Sequence, residues 1–344
     1  MWFRIVLLIG CLLAPTSLFA DEPRHEPSGN RNEFARELSA VVRDGLNTTN
    51  PLSVGQLKPG MLWNDPRASE TSVVLVPGLF AGDGSMSRIR RELNRNNIAT
   101  ATFRYADQKP VRQVAMELSR VIQRLRQRDP DRRVSLVTHS LGGIVAREAI
   151  EPEDQSPTGI DRLIMIAPPN RGTQLASLSA QDFAICVDEF GGERNDLEII
   201  DEMIHGFVGD AKRSLQPSSR LLEQLNSRQR AAGVRYTIIA GTGGPIRREW
   251  VELPLLLTGL LLQDERDPRA LAPLQRLAQT EEWIFGSGDG VVAVRSTRLA
   301  GVEDVASFPF GHNDFGSHVG DDDRRAAADQ ALQLVVRRLK QPID

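Results

Sequence analysis

The sequence predicts an α/β fold in which helices cover both faces of a mostly parallel sheet. Short runs of consecutive apolar and β-branched residues, such as residues 72–76, are typical of strands that are buried on both faces. Between these runs, apolar residues recur at helical spacing, most strictly over residues 111–125. Strands and helices that alternate in this way form parallel sheets with helical crossovers.

The predicted strands share continuous apolar or β-branched content. They comprise residues 72–76, 98–103, 134–137, 160–166, 234–240 and 302–308. Because helical segments separate them along the chain, we expect them to form one parallel sheet.

The predicted helices are defined by apolar spacing and by the residues at their ends. Apolar residues between 86 and 93 fall on one helical face, and another helical pattern begins at Ile144. The helix over residues 111–125 stops before Pro130. The closing helix follows three aspartates and ends among basic residues, which complements the helix dipole.

Composition divides the chain into three parts. Residues 1–20 are predicted to be a signal peptide, residues 21–69 an N-terminal leader with a partly helical segment, and residues 70–344 the folded domain. Two long stretches interrupt the alternation of strands and helices, at about residues 175–230 and 244–284. Insertions at the carboxyl edge of a parallel sheet lie over its site, so we expect both to be lid-like.

Residues 1–20 have the order of regions that is typical of a secretory signal. Arg4 precedes an apolar run over residues 5–14, and Ala20 supplies the small residue at the expected cleavage site. This order predicts an exported protein, either extracellular or periplasmic. Two alternatives stay open, namely lipidation of Cys11 within a sequence that resembles a lipoprotein box, and an uncleaved membrane anchor.

Composition also excludes some classes of partner. The net charge of −3 and the aromatic content of 5% argue against binding to nucleic acid. If Cys11 leaves with the signal peptide, Cys186 is the only remaining thiol. No internal disulfide can then form, so stability must come from the core. The oligomeric state is left open by the sequence.

Residues 138–143, Thr-His-Ser-Leu-Gly-Gly, are the most informative stretch of the chain. They join a predicted strand to a predicted helix, so Ser140 lies at the apex of a tight turn that resembles a nucleophile elbow. Such a turn directs the N–H groups of a helix N-terminus at the hydroxyl. Gly142 and Gly143 permit close approach of two backbones. Thr138 stands where the motif has its first glycine, and the alternative is an ordinary turn with a surface serine.

A serine nucleophile needs a base and an orienting acid. Asp289 lies between two glycines and is the candidate acid, the alternative being that it caps the amides of its own turn. His312 follows the last predicted strand and is the candidate base, with His318 as the alternative. The chain order Ser140, Asp289, His312 is that expected after a nucleophile elbow. His139 is expected to pack beside the elbow.

The oxyanion hole is expected to consist of backbone amides. A glycine-containing loop over residues 77–82 follows the first predicted core strand. We expect the amides of Leu79 and Leu141 to point at the oxyanion, with Phe80 as the alternative to Leu79. Asp314 is interpreted as a partner of the site, a cation ligand or a solvated side chain.

Together these segments resemble the α/β-hydrolase fold, and within it the secreted bacterial lipases and related lipid esterases. The resemblance spans about residues 70–340 and rests on residues 75–80, 138–143, 166–173, 288–292 and 311–312. In these lipases an Ala-Pro-x-x-x-Gly-Ser/Thr run, like residues 167–173, follows the strand after the elbow and leads into the lid. The chain departs from the family pattern at Pro77, where relatives have histidine, and at Thr138.

The resemblance implies a Ser140–His312–Asp289 triad and ester hydrolysis through an acyl-enzyme, with no cofactor or metal needed for the chemistry. It allows a structural calcium near Asp314. The expected substrate is a lipid or a small acyl ester, with a lipid–water interface as a candidate partner. The alternatives are an acyltransferase that uses the same triad and an inactive binding protein with this fold. The apolar residues 253–262 either form a lid face or a buried helix.

Overall fold

The structure, a computed structural model, describes residues 60–63, 73–79, 86–106, 109–151, 159–177, 210–244, 248, 280–315 and 322–342. Several sequence predictions lie outside these residues. They concern the signal peptide with Cys11, most of the leader, most of both insertions with Cys186 and residues 253–262, and the alternatives Phe80 and His318.

One sheet of seven strands organises the described part of the chain. The strands are β1 (Gly60–Trp63), β2 (Val73–Val76), β3 (Thr100–Arg104), β4 (Val134–His139), β5 (Ile160–Ile166), β6 (Arg235–Gly241) and β7 (Val305–Phe308). Their order across the sheet is β1-β3-β2-β4-β5-β6-β7. Every neighbouring pair from β3 to β7 is parallel, so the predicted parallel sheet is confirmed.

The edge strand β1 was not predicted from the sequence. It pairs antiparallel with β3, with Met61 opposite Phe103. Its four residues read Gly-Met-Leu-Trp, which contain no β-branched residue and are too few to show a period. Such a strand forms because β3 offers it an unpaired backbone edge.

Helices cover both faces of the sheet, as predicted. They are α1 (Ser87–Arg95), α2 (Val111–Arg128), α3 (Leu141–Ile150), α4 (Asp210–Leu215), α5 (Arg220–Ser227), α6 (Val294–Thr297) and α7 (Asp322–Lys340). Helices α4 and α5 lie within residues 175–230, one of the two stretches that interrupt the alternation of strands and helices. Two short 3₁₀ helices, Gln174–Ser177 and Glu281–Trp283, complete the set.

Two apolar cores, one on each face of the sheet, explain the continuous hydrophobic runs of the strands. Leu136 of β4 packs with the helices α2 and α3 on one face, whereas its neighbour Val137 packs with α1 and α7 on the other. Both side chains are fully buried. Successive strand residues point to opposite faces, so a strand covered on both sides is apolar at most consecutive positions.

The register of the central strands brings three chain segments together at the carboxyl edge. Val76 at the end of β2 lies opposite Thr138 of β4, and His139 at the end of β4 lies opposite Ile166 at the end of β5. The residues that follow these strands are therefore neighbours. Within the described residues, no helix is long and apolar enough to cross a membrane.

Candidate active site

Ser140 occupies a strained turn between β4 and α3. Its backbone angles are φ 53° and ψ −128°, outside the regions that residues other than glycine usually adopt. Its N–H donates to the carbonyl of Ile166, which ties the turn to the end of β5 at 2.9 Å. This is the strand–turn–helix geometry that the motif predicted, and strain of this kind persists only where the surrounding structure enforces it.

Close contacts restrict both glycines after Ser140, Gly142 against backbone atoms and Gly143 against side chains. A Cβ atom on Gly142 would lie 2.2 Å from the carbonyl oxygen of Val76 and 2.5 Å from that of Pro77. A Cβ atom on Gly143 would lie 3.0 Å from the Cβ of Pro168 and 3.4 Å from the Oγ1 of Thr138. The bulk of Thr138 is therefore accommodated because the helix residue opposite it has no side chain.

Ser140, His312 and Asp289 are joined by a continuous chain of hydrogen bonds. The Oγ of Ser140 lies 2.9 Å from Nε2 of His312, and Nδ1 of His312 lies 2.8 Å from Oδ2 of Asp289. A carboxylate only accepts, so Nδ1 carries the ring proton and Nε2 accepts from the serine hydroxyl. All three side chains are buried, and Asp289 is 2% exposed. The structure thus brings the three sequence-predicted residues together.

Asp289 combines the two functions that the sequence left open for it. Its Oδ1 accepts from the N–H groups of Val291 and Val292, at 2.9 and 2.7 Å, and so holds its own turn. Its Oδ2 accepts the hydrogen bond from Nδ1 of His312. The backbone carbonyl of Asp289 also accepts from the N–H of His312 at 2.8 Å. Both ends of the histidine residue are therefore fixed by the same aspartate.

His139 lies beside the elbow, as expected, but it also contacts the candidate base. Its Nε2 lies 2.8 Å from the carbonyl oxygen of His312, and the two rings are 4.8 Å apart. Since a carbonyl only accepts, Nε2 of His139 carries a proton and donates it. Burial and the neighbouring His312 lower the pKa of His139 from 6.5 to about 3. The ring is therefore neutral at neutral pH, and it does not repel a protonated His312.

The low pKa of His139 predicts a pH-dependent loss of stability. The unfolded chain takes up the proton near pH 6.5 and the folded protein only near pH 3, so stability is lost as pH falls between these values. Replacement by glutamine keeps a donor without the titration. Between pH 6 and 4, the wild-type free energy of unfolding should fall about 1.4 kcal/mol per pH unit more steeply than that of His139→Gln. Urea unfolding at several pH values measures both slopes, and equal slopes would contradict the assignment.

The two expected oxyanion donors flank Ser140. Leu141 is the first residue of α3, so its N–H has no carbonyl one helical turn earlier. Leu79 follows Gly78, whose added Cβ would lie 2.8 Å from the Cβ of Ser140. The loop after β2 therefore passes directly against the nucleophile position.

The carboxylate of Asp314 accepts hydrogen bonds from other residues of the protein. Its Oδ2 accepts from the N–H of Gly311 at 2.7 Å and from the Nε of Arg324 at 3.1 Å. These bonds fix the loop that carries His312. No group of three or more His, Cys, Asp or Glu side chains with metal-binding geometry occurs among the described residues. Calcium binding near Asp314 stays a prediction.

A family model described as a domain of unknown function (DUF7379) matches residues 109–258, which include Ser140 but not Asp289 or His312. No curated protein matches the sequence.

Among solved structures, a phospholipase of Legionella pneumophila has a TM-score of 0.50 and 17% identity, over 79% of this chain and 60% of that one. The chain has the α/β-hydrolase fold. It spans less than two thirds of the Legionella enzyme. A lipase of Bacillus licheniformis in mature form has a TM-score of 0.49 and 17% identity, over 81% of this chain and 98% of that one. A metagenomic carboxyl esterase has a TM-score of 0.45 and 17% identity, over 97% of this chain and 98% of that one.

The sequence did not predict the bond that His139 makes to His312, nor the contact that Tyr105 makes at this site. The bond from His139 to the carbonyl of His312 joins residues 173 positions apart and leaves no local pattern. Tyr105 contacts the loop after β2 through its hydroxyl. Its only sequence signal is its place directly after a strand, where residues reach the carboxyl edge.

Proposed function

We propose that this protein is a serine ester hydrolase that acts on lipid-like acyl esters through an acyl-enzyme. The observation that carries the proposal is the hydrogen-bonded chain from Ser140 through His312 to Asp289, set at a strained strand–helix turn. A strained turn and a buried, aligned serine–histidine–aspartate chain do not by themselves stabilise the fold. They are the arrangement that an activated serine nucleophile requires.

The reaction follows from the position of each group. The Oγ of Ser140 attacks the ester carbonyl carbon while Nε2 of His312 accepts the hydroxyl proton. The carboxylate of Asp289 stabilises the resulting imidazolium. The amides of Leu79 and Leu141 donate to the carbonyl oxygen as it becomes an oxyanion.

The intermediate then collapses in two stages. The bond from the carbonyl carbon to the alkoxy oxygen breaks, and the alcohol leaves with the proton from His312. Water next attacks the acyl-enzyme and gives a proton to His312. Release of the carboxylic acid returns that proton to Ser140 and restores the free enzyme.

Preference for lipid-like esters is supported by two features. Phe285, four residues before Asp289 in the sequence, is 51% exposed, so the segment that carries the proposed acid presents an apolar ring to solvent. The Legionella protein of similar fold is a phospholipase. The apolar residues 253–262 are proposed to add a lid face. An exported location, with cleavage after Ala20, is part of the same proposal.

Labelling with a fluorophosphonate tests the proposed nucleophile. We expect one adduct on the tryptic peptide that contains Ser140, and none after heat denaturation. The intact mass of the exported protein shows whether cleavage follows Ala20 or whether Cys11 carries lipid. A folded protein that gives no adduct, with or without detergent to open a lid, would contradict the proposal. Hydrolysis of an ester series, with and without an acceptor alcohol, separates a hydrolase from an acyltransferase.

A further inference from the structure

The hydroxyl of Tyr105 holds the loop that follows β2. Tyr105 lies directly after β3, and its hydroxyl is 2.8 Å from the carbonyl oxygen of Pro77 and 3.1 Å from that of Gly78. Its ring stacks on Phe103 with centroids 5.8 Å apart. A hydroxyl has one proton, which here is shared between two successive carbonyls.

This contact sets the direction of the Leu79 N–H. The carbonyl of Gly78 and the N–H of Leu79 belong to the same peptide group, and the described chain has no cis peptide bonds. In a planar trans peptide these two groups point in opposite directions. A hydrogen bond that fixes the Gly78 carbonyl therefore aims the Leu79 N–H away from Tyr105. The bond to Pro77 does the same for the N–H of Gly78.

The peptide held by Tyr105 lies beside the nucleophile and is intrinsically soft. Gly78 has to be glycine, because an added Cβ would lie 2.8 Å from the Cβ of Ser140 and 3.2 Å from the carbonyl oxygen of His139. Without a Cβ, the backbone of Gly78 can adopt several conformations, so the next peptide plane can rotate. The close approach to Ser140 thus requires a glycine, and the flexibility of that glycine allows the Gly78–Leu79 peptide to rotate unless another contact restricts it.

We propose that Tyr105 is a positioning residue that orients the Leu79 N–H as an oxyanion donor. This inference rests on the proposed ester hydrolysis. Tyr105 acts in two ways. It restricts rotation of the Gly78–Leu79 peptide, and its bond to the carbonyl polarises that peptide so that the N–H becomes a stronger donor. Tyr105 itself touches neither substrate nor Ser140 in this scheme. Its effect appears only when charge develops on the substrate oxygen.

Replacement by phenylalanine tests the proposal, since it removes the hydroxyl and keeps the stacked ring. For Tyr105→Phe we expect kcat and the rate of fluorophosphonate labelling to fall about fivefold to tenfold, with KM unchanged. Affinity for a trifluoromethyl ketone, which forms a tetrahedral adduct with the serine, should fall by the same factor.

Tyr236→Phe is the matched control, because the chain contains only two tyrosines. Tyr236 is buried, whereas Tyr105 is half-buried, and the hydroxyl of Tyr236 accepts from the N–H of Ala231 at 3.0 Å. It lies at the start of β6, at the opposite end of the strands from Ser140. We expect Tyr236→Phe to lower the melting temperature, because the hydroxyl of Tyr236 also donates to Oε1 of Glu151 at 3.4 Å, and to lower kcat less than Tyr105→Phe does.

A second experiment does not depend on the folding of Tyr105→Phe. In the Tyr236→Phe background, Tyr105 is the only tyrosine, so incorporated 3,5-difluorotyrosine changes this hydroxyl alone. Fluorination lowers the phenol pKa well below its usual value of about 10, and a phenolate cannot donate. We expect a new alkaline limb in the pH profile of kcat, at the pKa of the fluorinated phenol.

The outcomes separate this inference from the function on which it rests. Wild-type kcat in Tyr105→Phe, an equal loss in Tyr236→Phe, or an unchanged pH profile after fluorination would each overturn it. An increase in KM with unchanged kcat would also overturn it, because a positioned oxyanion donor acts on the transition state. If the wild-type protein is neither labelled nor active, the proposed hydrolase function fails first, and the inference fails with it.

Discussion

Replacing Ser140 with alanine is expected to lower kcat for the proposed ester hydrolysis by about 10⁶-fold, as in serine hydrolases whose triad acts as a unit. The reason is geometric. The Oγ of Ser140 lies 2.9 Å from Nε2 of His312, so nucleophile and base operate in a single step. His312→Ala should cost about as much, and the double variant no more than either single one.

Asp289→Asn should cost less than loss of the nucleophile, about 10⁴-fold in kcat. An amide can donate to Nδ1 of His312 and so favours the tautomer that cannot accept the proton of Ser140. Steady-state kinetics on a soluble p-nitrophenyl ester would measure all four variants. Additive losses in the double variant would contradict a cooperating triad.

Ser135→Ala is a matched control for Ser140→Ala. Ser135 lies on β4, the strand that leads to Ser140, is 5% exposed, and its Oγ donates to Oδ1 of Asp161 at 2.6 Å. It lies at the amino end of β4, away from His312. We expect wild-type kcat and lower stability for this variant. Substantial hydrolysis by Ser140→Ala, with Ser135→Ala unaffected, would show that another residue is the nucleophile.

Replacing Arg147 with methionine is expected to reduce the free energy of unfolding by about 3–5 kcal/mol. Arg147 lies on the elbow helix α3 and is completely buried, as is the side chain of Glu151, with which it pairs at 3.0 Å. Burial lowers the pKa of Arg147 and raises that of Glu151, and each charge opposes the shift of the other. Removing the guanidinium of Arg147 leaves the buried carboxylate of Glu151 paired with the guanidinium of Arg230 and no longer with two guanidinium groups.

Loss of Arg147 would also free hydrogen-bond acceptors that connect the elbow helix to its surroundings. The guanidinium donates to Oδ1 of Asn170, Oδ1 of Asn226 and the carbonyl of Leu225. Asn170 in turn donates to the carbonyl of Thr297, in the segment that follows Asp289. The network therefore links the helix of the nucleophile to the chain that carries the acid, so kcat should fall together with stability.

Arg325→Met provides the control for Arg147→Met. Arg325 pairs with Asp322 at 2.9 Å within helix α7, but these two side chains are 53% and 93% exposed. Exposed pairs of this kind contribute between zero and about 1 kcal/mol. Urea unfolding would compare the two variants. A loss below about 1 kcal/mol in Arg147→Met would mean that relaxation or water replaces the buried guanidinium.

The parallel sheet could be predicted from the sequence because its signal is local. Burial on both faces makes strands such as β4 and β5 largely apolar, and helical spacing marks α2 between β3 and β4. The elbow is equally local, since Gly142 and Gly143 follow directly on Ser140. These features therefore appear as patterns within a few consecutive residues.

Strand β1 and the contacts of the candidate base leave no local signal in the sequence. Four residues without a period pair with β3 only because its edge is free. The sequence favours His312 over His318 as the base because His312 directly follows the last predicted strand, but it does not show which groups the ring contacts. The bonds of His312 to Asp289 and Ser140 span 23 and 172 positions, so only the folded chain places that ring between its partners.

The sequence by itself thus determined the order of the elements, the turn at Ser140 and the residue types around it. The tertiary structure decided which groups touch. Asp289 accepts hydrogen bonds both within its own turn and from His312, and Arg147 is buried with Glu151. The hydroxyl of Tyr105 lies within hydrogen-bond distance of the carbonyl oxygen of Gly78. The physical reason is that periodicity and turn chemistry are set by near neighbours, whereas these contacts depend on strand register and helix packing across the whole sheet.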